Sequence, residues 1–522
     1  MLNKRSTDNL VLKVVKILEP KILLIVLFIT GASVLVIEVT AIRVLAPYFG
    51  STLYSLSSIL AVILGALSWG YLVGGKLSEK DANEKSFYIF ILIAGISVLI
   101  INFLSIFLLP SVGHRLSYVY GPLLISSILF TIPSFYLGVL SPYAIEIIKK
   151  RKPKDGLGKI SSQVICISTI GSIFGSIITG FFLIPNFGVE TIVNSTGILL
   201  ILIGLAGITQ ANLLKKSPLK IIIFSIFIFS LNQTLLKIRN ETILYTNDGL
   251  YGRISIYDTY KDNKKIRVLT QDVGAMSGKF LESDDLAFDY AKYLSLHNLF
   301  GTNLKNALFI GGGAYTLPDL LIKNLPDVMV DIAEVEPSLY YLSKEYFGLS
   351  SSLQLTNYII DGRKFLNDTD KKYDLIFADA YASILSVPVH MSTIEFFQKG
   401  FDALNDNGLF MANIIGDLDE SLPSYLFSEI KTFKEVFPNS YFFASEGLLT
   451  KYPQNIIFIG FKSDERLDFK DLKETSFSGI QIRNLDKKFM DIDRYNLAKH
   501  IIFTDNFSPV EAYTAKYLKR NR

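Results

Sequence analysis

Ala307-Leu308-Phe309-Ile310-Gly311-Gly312-Gly313, followed by Val330-Asp331-Ile332-Ala333-Glu334-Val335-Glu336-Pro337, is the stretch whose reading decides the fold. A short apolar run enters a glycine turn, 318–325 reads as a helix, and a second apolar run ends in acids. That order describes a β-α-β unit, in which glycines let the backbone turn tightly between strand and helix N-terminus. A carboxylate at the tip of the second strand can accept hydrogen bonds from both ribose hydroxyls of a nucleoside. The interval from Gly313 to Glu334, roughly twenty residues, matches the spacing of such an acid. Glycines also mark ordinary turns. Strand, helix and terminal acid in register favour nucleoside binding.

Outward from this unit, apolar runs at 306–311, 328–334, 353–358, 373–378, 408–414, 438–444 and 454–462 alternate with helical patterns. Such alternation predicts an open, doubly wound, mostly parallel sheet, with ligands at the carboxyl ends of its strands. Glu334, Asp361-Gly362 and Asp379 all fall at such ends. Asp361 is placed to accept from an exocyclic adenine amine, and Asp379 to take a proton or hold a cation at the reacting end. Either aspartate alone also suits a helix cap; three acids at successive strand ends favour a site. Ahead of the sheet, 253–260 and 266–270 predict a hairpin joined through 261–265, and 284–299 predicts a helix.

The N-terminal half has another composition. Seven apolar runs, roughly 22–45, 53–77, 86–109, 118–148, 162–185, 189–210 and 219–236, mostly exceed the length that argues for a membrane span. Half of the whole chain is hydrophobic, 19% is charged, and the mean hydropathy is +0.37. Lysines and arginines gather in the N-terminal tail and after the second, fourth and sixth runs, with six between Lys149 and Lys159. The charge bias therefore puts the N-terminus in the cytoplasm. Seven full crossings would export the C-terminal half, away from any adenosyl donor. The run at 219–236 is short and ends polar, so it is expected not to cross, leaving the C-terminal domain cytoplasmic. A net charge of +4 carries no nucleic-acid signal, and one cysteine with four scattered histidines offers no disulfide framework or metal site.

The expected fold class is an α-helical polytopic membrane domain followed by an α/β Rossmann-like, methyltransferase-type domain with a small N-terminal β-hairpin region. The expected layout is a tail over 1–21, a membrane domain of six or seven transmembrane helices over 22–237, a small β region over 238–283, and the Rossmann domain over 284–522.

Gly311-Gly312-Gly313-Ala314-Tyr315, Glu334-Val335-Glu336-Pro337, Asp361-Gly362-Arg363, Tyr373 to Ala380, Val387-Pro388-Val389-His390 and Thr393 to Phe397 together resemble the spermidine synthase (polyamine aminopropyltransferase) family. The whole chain looks like its membrane-fused branch. The resemblance implies S-adenosylmethionine or its decarboxylated form as co-substrate, with no permanently bound cofactor and no metal. It implies that Glu334 binds the ribose, Asp361, Gly362 and Pro388 the adenine, and the Gly311–Gly313 turn the nucleoside chain. Asp379 matches the proton acceptor for the attacking amine, and Tyr290 a tyrosine lining the diamine site. Tyr315 and His390 stand as further substrate-side candidates, His390 as a titratable group two residues past Pro388.

The departures from the family fall on polar or cation-holding positions: Ala314 replaces an acid after the glycines, Ala382 a second loop acid, Ala291 a polar residue, and Gly252 a nucleoside-binding glutamine. Each lost charge-assisted contact is worth about 1.5–3 kcal/mol, which disfavours a dicationic acceptor. Three readings stay open: aminopropyl transfer to an altered amine acceptor, methyl transfer to a membrane-associated acceptor, and a non-catalytic nucleoside- or polyamine-binding transporter or sensor. The expected partners are the lipid bilayer and a small acceptor, without nucleic acid; a homodimer is one further arrangement left open.

Overall fold

The structure, a computed structural model, describes residues 4–210, 243–272, 274–283, 285–380, 387–450, 452–477 and 480–520. The chain divides into two compact units, Met1–Glu241 and Thr242–Arg522.

Six helices of the first unit are long and apolar enough to cross a membrane: Lys21–Phe49, Leu53–Asp81, Glu84–Val112, Gly121–Arg151, Leu157–Asn186 and Val189–Thr209. Helices of this length span about 30 Å or more at 1.5 Å per residue, enough for the hydrocarbon layer. The turns between them are set locally: the Thr52 hydroxyl accepts from the Ser55 N–H at 3.2 Å, and the Asn83 amide oxygen accepts from the Ser86 N–H at 2.9 Å. Both are N-caps that start a new helix directly after the last one ends. Small residues set the closest approaches. A Cβ on Gly171 or Gly175 would collide with the Phe28 or Ala32 carbonyl, and one on Gly70 with that of Phe135. Gly65, Gly75 and Gly180 face open space instead and make no such approach. Lys150 donates to the Ala82 carbonyl at 3.1 Å and Arg151 pairs with Glu84. The basic loop after the fourth helix therefore shares one end of this unit with the turn between the second and third. The run at 219–236, with the expectation that it stops short of crossing, lies outside the described residues.

The second unit opens with a four-stranded antiparallel sheet, β1 (Ile243–Asp248), β2 (Arg253–Lys261), β3 (Lys264–Gln271) and β4 (Gly274–Phe280). The expected hairpin is there, but its connection is two residues rather than five. Asp262 and Asn263 both take positive φ, 50° and 62°, as a two-residue turn requires, so the strands run on through Lys261 and Lys264. The helical stretch expected from 284 begins later, as a 3-10 helix over Asp289–Phe300.

The second sheet has seven strands: β5 (Asn306–Ile310), β6 (Met329–Glu334), β7 (Leu355–Ile359), β8 (Tyr373–Ala378), β9 (Leu404–Gly416), β10 (Ser440–Ala444) and β11 (Gln454–Phe461). Their spatial order is β10-β11-β9-β8-β5-β6-β7. The ladder from β7 through β9 is parallel, while β11 pairs antiparallel with both neighbours. This is the doubly wound, mostly parallel sheet the alternation predicts, in the Rossmann-like, methyltransferase-type form the resemblance implies. Its central strands are apolar throughout because both faces are covered. Ala307, Phe309, Leu375 and Phe377 enter one core, and Leu308, Ile310, Ile376 and Ala378 enter the other. The strand order reverses beside β5, between β6 and β8. That crevice is where such a sheet binds ligands.

Candidate active site

Backbone geometry at the end of β5 fixes the glycine turn. Gly311 has φ 92° and Gly313 φ 53°, conformations that cost an L side chain steric energy. A Cβ at Gly311 would also collide with the Asp379 carbonyl. The turn is tied from both sides: the Gly311 N–H donates to the Ala333 carbonyl at 2.9 Å, and the Asp379 N–H to the Ile310 carbonyl at 2.8 Å. The ends of β5, β6 and β8 thus meet at one point.

Glu334, at the end of β6, is buried. The Gly312 N–H donates to its Oε2 at 2.7 Å and the Glu336 N–H to its Oε1 at 2.8 Å. Burial pushes its carboxyl up, against the pull of those amides. A carboxylate offers about four lone-pair sites, so each oxygen keeps one for a ligand hydroxyl. Glu336, two residues on, is buried as well. It accepts from the Ser338 hydroxyl at 2.8 Å and from the Tyr251 N–H at 3.3 Å, anchoring the β1–β2 turn against the sheet. Only its place in the motif was visible in the sequence.

Asp361 follows β7 and caps the helix Gly362–Asp368, accepting from the Lys364 N–H at 2.9 Å. Gly362 is required there, since a Cβ would run into Ile310. The other Asp361 oxygen meets His390 Nε2 at 2.9 Å, and that hydrogen bond holds the carboxyl below the usual range. Arg363 donates to the His390 carbonyl at 2.8 Å and to Asp505 Oδ1 at 2.6 Å, fixing the turn Val389–Met391 that Pro388 enters. The sequence makes His390 a titratable candidate on the substrate side. The structure instead gives its ring to Asp361, because the 387–391 segment folds back over the end of β7.

The reacting end is built differently. Asp379, directly after β8, accepts from Asn413 Nδ2 at 2.9 Å. Burial pushes its carboxyl up to about 6, against hydrogen bonds from Asn413 and Tyr290 that lower it. The Tyr290 hydroxyl donates to the Met276 carbonyl at 3.2 Å, and burial beside Asp379 drives the phenol well above its ordinary range. Tyr290, Asp379, Asn413 and the three glycines line one cavity of about 150 Å3. Asn413 gave no signal beyond one amide inside the buried apolar run of β9.

Tyr315 is the correction. It is fully buried, takes φ 57°, and donates its hydroxyl to Asn357 Oδ1 at 2.7 Å. The left-handed backbone turns its ring under the glycines, against Gly312, so the hydroxyl serves the protein interior and not a substrate. Of the departures, Ala314 is buried, Ala291 lines the cavity, and Ala382 lies outside the described residues. Among the described residues no group of three or more His, Cys, Asp or Glu is placed to hold a metal.

The spermine/spermidine synthase domain model matches residues 292–471. The polyamine aminopropyltransferase of Alkaliphilus metalliredigens is 24% identical over 262 residues, 49% of this chain and 86% of that protein. That of Vibrio vulnificus is 25% identical over 231 residues, 42% of this chain and 74% of its own length. Among solved structures, a probable spermidine synthase from Corynebacterium glutamicum aligns with TM-score 0.42 and 19% identity, over 51% of this chain and 97% of that one. Residues 292–471 thus match a spermine/spermidine synthase domain, in the C-terminal half of a chain whose N-terminal half carries six long apolar helices.

Proposed function

We propose that the protein is a membrane-bound aminopropyltransferase that uses decarboxylated S-adenosylmethionine as donor and an amine as acceptor. One observation carries this reading: a half-buried carboxylate, Asp379, held by Asn413 next to Tyr290 and the glycine turn, in a cavity of about 150 Å3. The free lone pairs of Glu334 suit the two ribose hydroxyls. The Asp361–His390 pair and Pro388 lie at the β7 end, where an adenine would rest. The sulfonium then comes to the mouth of the cavity.

Asp379 accepts one proton from the amine. The freed nitrogen lone pair forms a bond to the donor carbon attached to sulfur, that carbon–sulfur bond breaks, and its electron pair leaves a neutral thioether nucleoside. The carboxylate matches this task because burial moves its pKa toward neutrality. Taking the proton leaves the attacking nitrogen neutral, so two cations need not meet, and in the transition state a single positive charge passes from sulfur to nitrogen.

Ala314 favours weighing a second reading, methyl transfer, because no acid side chain is present there to hold an aminopropyl ammonium. The six helices support placement in a membrane. The basic loops gathered at one end support a cytoplasmic N-terminus, and six crossings would return the C-terminal domain to that side. The test is label transfer by the full chain in detergent. A donor labelled in the aminopropyl group should yield labelled amine and thioether nucleoside in equal amounts. Label appearing only from the methyl group of S-adenosylmethionine would establish the second reading instead.

A further inference from the structure

Resting on that reading, we infer that the acceptor is a monoamine: one ammonium on a short apolar body, in place of a diamine. The walls of the cavity carry the argument. Among its described lining residues Asp379 is the single carboxylate, and none is lysine, arginine or histidine. Its other polar groups are neutral: Tyr290, Asn413, Asn455, Ser277 and Thr316. Tyr290 donates to the Met276 carbonyl and Asn413 Nδ2 to Asp379, which leaves Asn413 Oδ1 as a neutral acceptor that carries no charge to match a second ammonium. Beyond them the wall is Met276, Phe288, Ala291, Phe309, Leu317 and Phe377.

A first ammonium is matched by Asp379. A second, three or four carbons farther on, would meet rings, alkyl groups and neutral polar groups with no counter-charge among the described lining residues, which is unfavourable. The charge behind the wall adds to this. Lys261 Nζ lies 5.9 Å from the centre of the Phe288 ring and donates to the Ala287 carbonyl at 2.7 Å. That cation, partly offset by the Asp289 carboxylate, disfavours a second positive charge near the ring and leaves an alkyl chain indifferent. The space agrees: about 150 Å3 holds roughly five water-sized groups, enough for a short amine and little more.

The test compares butan-1-amine with butane-1,4-diamine, which share a carbon chain and differ by the second nitrogen. Binding of each to the full chain in detergent is measured by calorimetry, with release of thioether nucleoside from the decarboxylated donor measured alongside. The monoamine should bind at least tenfold more tightly. Equal or tighter binding of the diamine overturns the inference, and so does failure of both to bind. Tighter monoamine binding without nucleoside release sustains the inference while ending the transfer reading. Ala291→Asp, which adds a carboxylate to the wall, should narrow or reverse the preference in a folded variant; an unchanged ratio there counts against it.

Discussion

The two ends of the candidate site are built on opposite principles. At the nucleoside end, each carboxylate oxygen of Glu334 and Asp361 is already fixed by one partner, a backbone amide or His390. At the acceptor end, Asp379 has one amide partner and a neighbouring tyrosine, in a cavity whose other described polar groups are neutral. The first arrangement fixes geometry; the second raises a pKa. A recognition end wants preorganised acceptors, and a reacting end wants a group able to change its charge.

Breaking the contrast at its reactive side should have the largest effect. Asp379→Asn keeps the shape and removes the proton acceptor, so turnover should fall at least a hundredfold while donor affinity stays within about threefold. Steady-state kinetics with direct donor binding would show it, and near-normal turnover would return Asp379 to a purely structural role. Next comes Glu334→Gln. Its amide can no longer accept at both oxygens, so adenosyl-ligand affinity should fall at least tenfold by calorimetry, with an unchanged circular dichroism spectrum.

Asn413→Ala sharpens the comparison. Its amide stabilises the ionised carboxylate, so removal should move the acid-side inflection of the rate profile above the wild-type value near pH 6. An unmoved inflection would mean that Asn413 does not set the charge of Asp379. The smallest effect concerns stability. The folded pKa of Asp379 lies above its ordinary 3.8, so the folded state binds more protons than the unfolded one between about pH 4 and 6. Stability then declines as pH rises through that window, and the deficit persists above it. Asp379→Asn should melt later than wild type above pH 6, and the two should converge below pH 4.

The sequence exposed the sheet better than the site. β5, β6 and β8 are mostly apolar on both faces, and an acid ends β6 and directly follows β8, so pattern alone located them. β1 and β4 escaped: β1 is largely exposed, and β4 carries glycines at both Gly274 and Gly278. The nucleoside acids were legible because strand-end position is a local property. Partners were not, because they come from distant segments. Asn413 reaches Asp379 across 34 residues, His390 reaches Asp361 across 29, and Asn357 draws the Tyr315 hydroxyl away across 42. A tyrosine beside a glycine turn reads as substrate-facing until its φ is known. Glu336 was quoted as motif and understood only when the Tyr251 amide arrived on it.

The most direct measurement of the central claim is the pH dependence of kcat/KM for wild type and Asp379→Asn, with the full chain, a decarboxylated donor and one amine. Free-enzyme ionisations govern this quantity. The wild-type profile should bend near pH 6 on its acid side, where the Asp379 carboxyl titrates, and the bend should be absent from the residual activity of the variant. A bend that persists unchanged in Asp379→Asn would assign the proton transfer to another group and contradict the account.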